Sequence, residues 1–240
     1  MQIEKKKDFL EIKKDSYKIL FSTAEENKNF NRHTESGINE LNLLKKEFNI
    51  NEVIYLKQIH SNKVYIYNGE DKDEFINNEG DAIITNIKNI AIGVFTADCV
   101  PIIIIDEEKK VSAAIHSGWK GTYNSIVIET IEKMKKEYNC NPNSLKVYIG
   151  PHIRQCCYEV SEELKEKFIL KTGVNEDKLF IGRNLSLEFC ILKDLEKEKV
   201  KKENIFSLGL CTYCSKEVKL HSYRKSNGDY GRLFTFVILS

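Results

Sequence analysis

Two short apolar runs, separated by a charged turn, limit what this chain can fold into. Residues 100–105 read VPIIII and residues 111–115 read VSAAI, and the turn between them reads DEEKK. Short runs rich in β-branched residues and bounded by polar residues are typical of buried strands. We therefore predict two neighbouring strands, with Cys99 just before the first and His116 just after the second. We expect Cys99 and His116 to face each other in one pocket.

Strand and helix patterns are mixed along the rest of the chain. Apolar residues at helical spacing predict helices around Leu41, Met134 and Ile191, and Ser161 is a predicted N-cap of a helix that ends near Gly173. Further strands are predicted at residues 17–22, 53–59, 63–67, 82–85, 90–95, 147–149 and 233–239.

The order of these elements bears on fold class. Strands and helices do not alternate strictly, and no linker or change of composition marks a domain boundary. A length of 240 residues is enough for one large domain. We predict a single α+β domain over residues 1–240, with mixed β-sheets flanked by helices, rather than a doubly wound fold.

Charge and hydropathy exclude several classes of partner. The chain has 37 Lys and Arg against 36 Asp and Glu, a net charge of +1, which favours neither nucleic acid nor an anionic membrane. No apolar run reaches the roughly 18 residues of a membrane span, and the first residues lack the apolar core of a signal peptide. We expect a cytoplasmic protein. The sequence does not indicate its oligomeric state.

Three residues at the ends of apolar segments are candidate metal ligands. His60, Cys99 and His116 each lie beside small or polar residues, and two imidazoles with a thiolate make a zinc set with an open fourth position. Their separations match no compact zinc-finger spacing, and packing roles fit each residue taken alone. The pattern by itself leaves both interpretations open. We expect structural or surface roles for the three other histidines, His33, His152 and His221.

The loop SGWKGT at residues 117–122 is a candidate anion site. It contains Gly118, Lys120 and Gly121 and precedes a predicted helix, whose N-terminal N–H groups attract anions. It lacks the spacing of a P-loop, and a tight connection explains two glycines equally well.

A second candidate anion site is the segment that begins at Arg224 and ends at Arg232. These arginines flank Gly228 and Gly231, and two guanidinium groups on a glycine-rich loop suit a phosphate or a carboxylate. Exposed arginines without a ligand are the alternative interpretation.

The seven cysteines fit reduced thiols or metal ligation better than a disulfide framework, because their number is odd and the chain is long. Cys211 and Cys214 form a CxxC motif with no second motif at zinc-ribbon spacing, and we interpret them as two packed thiols. Cys156 and Cys157 are adjacent, and adjacent side chains diverge on a strand. We therefore expect that they share no metal ion.

Several blocks in fixed order resemble the laccase-domain family, also called the YfiH or polyphenol oxidase family. The resemblance covers about residues 53–239. The blocks are LKQIHSNKV (56–64), GDAIIT (80–85), TADCVPIIIID (96–106), AAIHSGWKGT (113–122), IGPHIRQCCYEV (149–160) and the C-terminal CTYC and SYRKSNGDYGRLFTFVIL.

This resemblance implies an αββα-type sandwich and a zinc-dependent enzyme acting on purine nucleosides and phosphate. The implied reactions are phosphorolysis of adenosine, inosine and methylthioadenosine, and deamination of adenosine. It also implies that His60, Cys99 and His116 bind the zinc. Residues 1–36 depart from the family pattern, so no substrate contacts are carried over for this divergent N-terminal part.

A mechanistic hypothesis joins the two lines of argument. The zinc centre activates water or a substrate oxygen, and Asp98, next to Cys99, orients a ligand imidazole or holds a substrate hydroxyl. In this hypothesis the phosphate is held by Arg224, Arg232 and the loop with Gly118, Lys120 and Gly121. Copper is expected only as an adventitious replacement of zinc.

Two other classes of protein fit the same residues. A metal-free cysteine hydrolase would use Cys99 as nucleophile and His116 or His60 as base. A non-catalytic module would use a structural zinc ion, which usually needs a fourth protein ligand. Sensitivity to chelators distinguishes the hydrolase, and a fourth ligand would favour the module.

Overall fold

The computed structural model describes residues 2–174, 176–227 and 230–240. Two six-stranded sheets and a two-stranded ribbon account for the strands in these ranges. The strands are β1 (Glu4–Lys6), β2 (Phe9–Lys13), β3 (Tyr17–Ser22), β4 (Glu52–Ile54), β5 (Val64–Ile66), β6 (Ala82–Thr85), β7 (Ile90–Thr96), β8 (Val100–Asp106), β9 (Val111–Ser117), β10 (Lys146–Ile149), β11 (Phe180–Ile181), β12 (Asn184–Leu185), β13 (Ile205–Ser207) and β14 (Leu233–Leu239).

Helices of very different length connect these strands. Four of the α-helices in the described ranges exceed ten residues, and the others are single turns. The α-helices are α1 (Glu35–Glu47), α2 (Lys72–Phe75), α3 (Trp119–Tyr123), α4 (Ile126–Tyr138), α5 (Glu162–Thr172), α6 (Glu176–Leu179), α7 (Leu187–Lys197) and α8 (Tyr223–Ser226), and 3-10 turns occur at Glu25–Asn27 and Lys202–Asn204. No helix in the described part of the chain combines the length and the hydrophobicity needed to cross a membrane.

Both sheets mix parallel and antiparallel pairs. The first has the order β1-β2-β3-β14-β7-β4, in which only β4 and β7 are parallel neighbours. The second has the order β13-β10-β8-β9-β6-β5, with parallel pairs at its two ends. Strands β7, β8 and β9 follow one another in the chain, yet β7 belongs to the first sheet and β8 and β9 to the second. The chain therefore passes between the sheets at Ala97–Asp98–Cys99, which places Cys99 where the two sheets meet.

Side chains from alternate positions of β8 explain its continuous apolar sequence. Ile102 and Ile104 pack toward α4 and α7, while Ile103 and Ile105 pack toward the first sheet. A strand covered on both faces needs apolar residues at every position. The helix α1 covers the other face of the first sheet through Leu41 and Leu44. The layers are thus helix, sheet, sheet and helix, and the predicted α+β class with an αββα sandwich is confirmed.

Local signals define most element boundaries. The predicted strands at residues 17–22, 82–85 and 233–239 coincide with β3, β6 and β14. The side chain of Ser161 accepts a hydrogen bond from the Leu164 N–H at the start of α5, and Gly173 ends that helix in the left-handed region at φ 59°.

Two predicted boundaries were wrong. The strand predicted at residues 53–59 ends at Ile54, because the next residues form the loop that carries His60. The strand predicted to end before His116 continues through Ser117, since His116 pairs with Pro101 across the β8–β9 ladder. His116 is therefore held by a strand rather than by a connection.

Candidate metal centre and active site

The side chains of His60, Cys99 and His116 converge at one end of the two sheets. Their candidate ligand atoms all lie within 4.8 Å of one another. Nε2 of His60 is 3.8 Å from Sγ of Cys99, and the two imidazole rings meet edge to face at a centroid distance of 4.8 Å. The three residues come from the loop after β4, the crossing between the sheets and the end of β9. The fold thus brings together the residues that were predicted to converge.

Asp81 orients both histidines. Its buried carboxylate accepts a hydrogen bond of 2.8 Å from Nδ1 of His116 and one of 3.0 Å from the backbone N–H of His60. The N–H and hydroxyl of Ser61 donate to the same carboxylate. With Nδ1 engaged, Nε2 of His116 is the nitrogen left for a ligand. Sequence reasoning assigned no role to Asp81, although the block GDAIIT contains it.

The loop that carries His60 is fixed against β7 by Gln58. The side-chain amide of Gln58 donates to the carbonyl of Phe95 and accepts from its N–H, each at 2.8 Å. These two hydrogen bonds resemble the pair that a residue of a neighbouring strand would make with Phe95. His60 itself has φ 60°, in the left-handed region. The loop is therefore held in a conformation that most residues adopt only under constraint.

Gly118 leaves room for the convergence. A Cβ atom at this position would lie 2.8 Å from Cδ2 of His60 and 3.0 Å from Sγ of Cys99. Gly118 also precedes α3 as its N-cap residue. A glycine is needed here because of close approach, and its φ of −76° requires no special conformational freedom.

Burial and charge shift the pKa values of two of these groups. Burial opposes ionisation of Cys99, but the charge and hydrogen bond of His116 outweigh it and lower the pKa of the thiol to about 6. Burial likewise opposes protonation of His116, but the Cys99 thiolate and the Asp81 carboxylate raise its pKa to about 9. Without a metal ion, the two side chains form a thiolate and imidazolium pair near neutral pH.

The three residues line a cavity of about 590 Å³, a volume typical of small-molecule sites. Apolar and aromatic side chains make up much of its wall, and several charged groups lie among them. Its lining includes Arg32, His33, Phe95, Asp98, Trp119, Tyr158, Glu159, Leu164, Leu187, Tyr223, Arg224, Tyr230 and Arg232. A cavity with this lining suits a flat aromatic group together with an anion.

Three arginines contribute to the cavity. The guanidinium of Arg232 stacks on Tyr230 with its carbon 4.1 Å from the ring centroid, and Arg32 lies over Phe95 at 5.3 Å. Burial and the charge of Arg232 lower the pKa of Arg32. Two half-buried cations that repel each other are stabilised by an anion between them. The sequence analysis assigned no role to Arg32.

Arg224, the third, is more exposed. Its guanidinium donates to the carbonyl of Glu159 at 2.8 Å and lies 5.4 Å from the Tyr158 ring centroid. Gly228, which the sequence places between Arg224 and Arg232, lies outside the described residues.

Asp98 does not bind a ligand imidazole, which was one of its two predicted roles. Its carboxylate accepts hydrogen bonds from the hydroxyl of Thr212 at 2.5 Å and from the backbone N–H of Arg224 at 2.7 Å. The imidazole of His116 is bound by Asp81 instead. Asp98 lines the cavity with φ 91°. Its interactions connect the Cys99 segment to the C-terminal loops.

Only part of the predicted anion loop reaches the cavity. Gly118 lines it, whereas Lys120 and Gly121 lie outside its lining. Gly121 is buried, and Nζ of the exposed Lys120 lies 5.5 Å from the Trp119 ring. Residues 119–122 of the predicted loop belong to the helix α3, which is only five residues long. The structure therefore brings the arginines, rather than Lys120, to the cavity.

The adjacent cysteines Cys156 and Cys157 lie differently from the prediction. Cys156 and Cys157 lie in a turn instead of on a strand, and their thiols meet those of Cys211 and Cys214. The expectation that the two adjacent cysteines diverge was wrong, because a turn directs successive side chains differently from an extended strand. Of the other histidines, His33 is exposed at the cavity, His152 is buried, and Nε2 of His221 donates to the backbone carbonyl of Lys28.

The donor set at the first centre fits a zinc ion. Two imidazole nitrogens and one thiolate are zinc ligands, and a carboxylate on the far nitrogen of a ligand histidine is the usual support for such a site. Among the described residues, the group has three members and opens to the cavity. A three-ligand set beside a cavity is typical of catalytic rather than structural zinc.

Comparison with known proteins gives relatives over the whole chain. A protein named purine nucleoside phosphorylase from Clostridium acetobutylicum is 45% identical over 99% of this chain and 99% of its own length. Another of that name from Aquifex aeolicus is 35% identical over 81% of this chain and 87% of its own.

Two solved structures share the fold. The hypothetical protein YfiH of Bacillus licheniformis has a TM-score of 0.89 at 22% identity and covers 99% of both chains. YlmD of Geobacillus stearothermophilus has a TM-score of 0.88 at 18% identity, covering 98% of this chain and 97% of its own. The sequence profile described as multi-copper polyphenol oxidoreductase laccase matches residues 23–240. The chain belongs to this laccase-domain family.

Proposed function

We propose that this chain is a zinc-dependent purine nucleoside phosphorylase that also deaminates adenosine. Its substrates under this proposal are adenosine, inosine and methylthioadenosine, with phosphate as the second substrate. The names of relatives at 45% and 35% identity support the phosphorylase part. The observation that carries the proposal is the placement of the His60, Cys99 and His116 group in the same cavity as three arginines.

Zinc at this group would supply Lewis-acid polarisation of a water or a substrate oxygen at its open position. The residues of the chain prepare the site for it. Asp81 holds His116 so that Nε2 is available, and the low pKa of Cys99 supplies a thiolate near neutral pH. The fixed loop of His60 needs little rearrangement. Little of the binding free energy is then lost in ordering the ligands.

Phosphorolysis requires an oxygen of phosphate to attack C1′ of the ribose while the bond from C1′ to the purine nitrogen breaks. The products are the free base, which takes up a proton, and ribose 1-phosphate. We assign to Arg32, Arg224 and Arg232, which all line the cavity, the role of binding the phosphate and keeping it beside the sugar. Phe95 and Tyr158 offer aromatic surfaces on which a purine can stack. The free base and the sugar phosphate then leave through the open side of the cavity.

Deamination needs no phosphate. Oxygen from water replaces the amino group at C6 of adenine, and ammonia leaves. The same cavity serves both reactions if the nucleoside binds with either the sugar or the C6 edge toward the metal centre. Asp98, whose carboxylate is fixed by Thr212 and by the N–H of Arg224, is our candidate for holding a ribose hydroxyl.

One observation favours a second candidate, a metal-free cysteine hydrolase. The lowered pKa of Cys99 beside the raised pKa of His116 is the arrangement of an activated thiol nucleophile. Such an enzyme would retain its activity after metal removal. The non-catalytic zinc module is disfavoured because the group has three ligands among the described residues rather than four.

The test is incubation of the purified protein with adenosine, with and without phosphate, followed by product identification. We expect adenine and ribose 1-phosphate only with phosphate, inosine and ammonia in either case, and hypoxanthine from that inosine when phosphate is present. Both activities should disappear after chelation and return with zinc. The variant Cys99→Ala should be inactive, and Cys140→Ala is the matched control because Cys140 is buried away from the cavity. Full turnover by the metal-free protein would refute the zinc enzyme and support the hydrolase.

A further inference from the structure

A second group of thiols lies outside the cavity. The Sγ atoms of Cys156, Cys157, Cys211 and Cys214 all lie within 4.8 Å of one another, and all four residues are free cysteines. Sγ of Cys156 is 3.6 Å from Sγ of Cys214. None of the four lines the cavity at the first metal centre. This tetracysteine cluster is not used by the proposed reaction.

The topology of the second sheet creates the cluster. Strands β10 and β13 are parallel neighbours, so the loops that follow them leave the same edge of the sheet. A bridge between His152 and Cys211 continues the parallel pairing beyond the strands. Each loop then turns tightly: the N–H of Cys157 donates to the carbonyl of Arg154, and that of Ser215 donates to the carbonyl of Cys211. Each turn presents two thiols toward the other.

We propose that the tetracysteine cluster binds one structural zinc ion through four thiolates. Zinc held by four sulfurs at about 2.3 Å has tetrahedral edges of about 3.8 Å between sulfurs. The separation between Sγ of Cys156 and Sγ of Cys214 is 3.6 Å, and no separation among the four sulfurs exceeds 4.8 Å, so the cluster matches this geometry closely. The four thiols converge on one point instead of forming two separate pairs, which argues against two disulfides.

The surroundings suit a closed metal site. The backbone N–H of Arg154 lies 3.5 Å from Sγ of Cys211 and donates to it, an interaction that stabilises a metal-bound thiolate. An iron–sulfur cluster would insert several iron and sulfide atoms between its thiolates, whereas these separations leave room for a single ion. Tetrahedral sulfur ligation is typical of structural zinc.

The position of the cluster indicates what the ion does. Cys157 is followed by Tyr158 and Glu159, which line the cavity. Thr212, between Cys211 and Cys214, donates to the carboxylate of Asp98. One ion would therefore tie together the two loops that build this wall of the cavity. Because Cys156 and Cys214 are exposed, apolar packing at this place is limited, and the metal would supply the missing stabilisation.

The test uses the full chain purified without added metal or chelator, in wild-type form and as His116→Ala. This variant removes a ligand of the first centre and leaves the tetracysteine cluster intact. We expect about two zinc ions per wild-type chain and about one per His116→Ala chain. X-ray absorption of that variant should give four sulfur neighbours at about 2.3 Å. Adding Cys156→Ser to His116→Ala should remove the remaining zinc ion. Adding Cys190→Ala, which removes a core thiol, should remove no zinc.

A second measurement covers the case in which Cys156→Ser does not fold. In the folded His116→Ala protein, the four cysteines should resist alkylation until zinc is removed, as judged by mass spectrometry of each site. A His116→Ala chain with no zinc, with iron instead, or with disulfides among these cysteines would overturn the proposal. A wild-type chain with one zinc on four sulfurs would support zinc at the tetracysteine cluster and would refute zinc at His60, Cys99 and His116. The two sites are therefore judged separately.

Discussion

Asp81 and His116 form the hydrogen bond that organises the proposed metal centre. The carboxylate oxygen lies 2.8 Å from Nδ1, and both side chains are buried. The same carboxylate also accepts from the backbone of His60. One side chain thus sets the orientation of one ligand ring and the backbone of another. Burial opposes the charge of Asp81, but the hydrogen bond and charge of His116 outweigh it and lower the pKa of this carboxyl.

The first prediction is that Asp81→Asn weakens zinc binding by roughly tenfold to a hundredfold. The amide cannot accept all the hydrogen bonds that the carboxylate accepts, so His116 loses its fixed orientation. Competition with a chelator of known affinity measures the effect. Asp106→Asn is the matched control, since Asp106 is also buried at a strand end but lies outside the cavity. Equal zinc affinity in Asp81→Asn and wild type would contradict the assigned role.

The second prediction concerns Gly118→Ala. The added methyl group would meet His60 and Cys99 at 3.0 Å or less, so the two ligands must separate. We expect roughly tenfold weaker zinc binding with a loss of nucleoside turnover. Gly182→Ala is the control: nothing lies within 4 Å of its new methyl group, and its φ of 61° costs about 1 kcal/mol of stability. Isothermal titration of both variants with zinc decides the matter. The prediction is wrong if the two variants bind zinc alike.

The third prediction is a pH dependence of the metal-free protein. The pKa of Cys99 is lowered from 9.0 to about 6, so its contribution to the free energy of unfolding is present above pH 9.0 and is lost as the pH falls through about 6. The pKa of His116 is raised from 6.5 to about 9, so its contribution is full below pH 6.5 and is lost as the pH rises through about 9. Cys99 is therefore a thiolate and His116 an imidazolium between about pH 6 and about pH 9.

Alkylation of Cys99 measures this pair directly. The rate at Cys99, followed by mass spectrometry, should have its midpoint near pH 6 in the metal-free wild type. In His116→Ala the midpoint should move to higher pH, because the neighbouring positive charge is gone. A wild-type midpoint near the ordinary value of a thiol would disprove the pairing.

The fourth prediction separates the two proposed reactions. Arg232→Ala and Arg224→Ala should weaken phosphorolysis more than deamination, because only phosphorolysis must hold a phosphate anion. For Arg232→Ala we expect the KM for phosphate to rise roughly tenfold or more. Arg232→Lys keeps the positive charge but lacks the planar guanidinium, so its KM for phosphate should lie between those of wild type and Arg232→Ala. Parallel assays with inosine plus phosphate and with adenosine alone provide the comparison, and an equal loss in both would refute the role.

The fifth prediction concerns the copper chemistry in the name of the family. An oxidase with four copper ions needs about ten histidine ligands for its blue-copper and trinuclear sites, and this chain has five histidines. Copper can still replace zinc, because divalent copper binds such ligands more tightly. We expect slow phenol oxidation at most by the copper-loaded protein, and nucleoside turnover by the zinc-loaded protein. Efficient phenol oxidation without nucleoside turnover in either form would overturn the proposal.

The sequence predicted well what depends on neighbouring residues. The strand β14 was predicted from an apolar run, and the two ends of α5 were predicted from Ser161 and Gly173. Each of these signals acts within a few residues. It also identified His60, Cys99 and His116 as a group, although only the family resemblance favoured a metal-binding role over a packing role. Helices and strands can be predicted from local patterns because their periodicities are short-range properties.

What the sequence did not predict depends on contacts between distant residues. Asp81 acts on partners 21 and 35 residues away, and Cys156 meets Cys214 over a separation of 58. Arg32 reaches the cavity from a polar loop with no periodic pattern. The interpretation of Cys156 and Cys157 failed because an extended strand was assumed where the chain turns. Such relationships arise from sheet order and loop path, which periodicity does not encode.

The place of β14 in the first sheet has a consequence for how the protein is made. This strand lies between β3 and β7, and the N–H of Phe234 bonds to the hydroxyl of Ser22, 212 residues earlier. The N-terminal strands cannot join the rest of the first sheet until β14 has left the ribosome. Closing so long a loop is slow, and the open edges of β3 and β7 are exposed meanwhile. The newly made chain therefore carries unpaired strand edges until β14, the strand that follows Arg232, is in place.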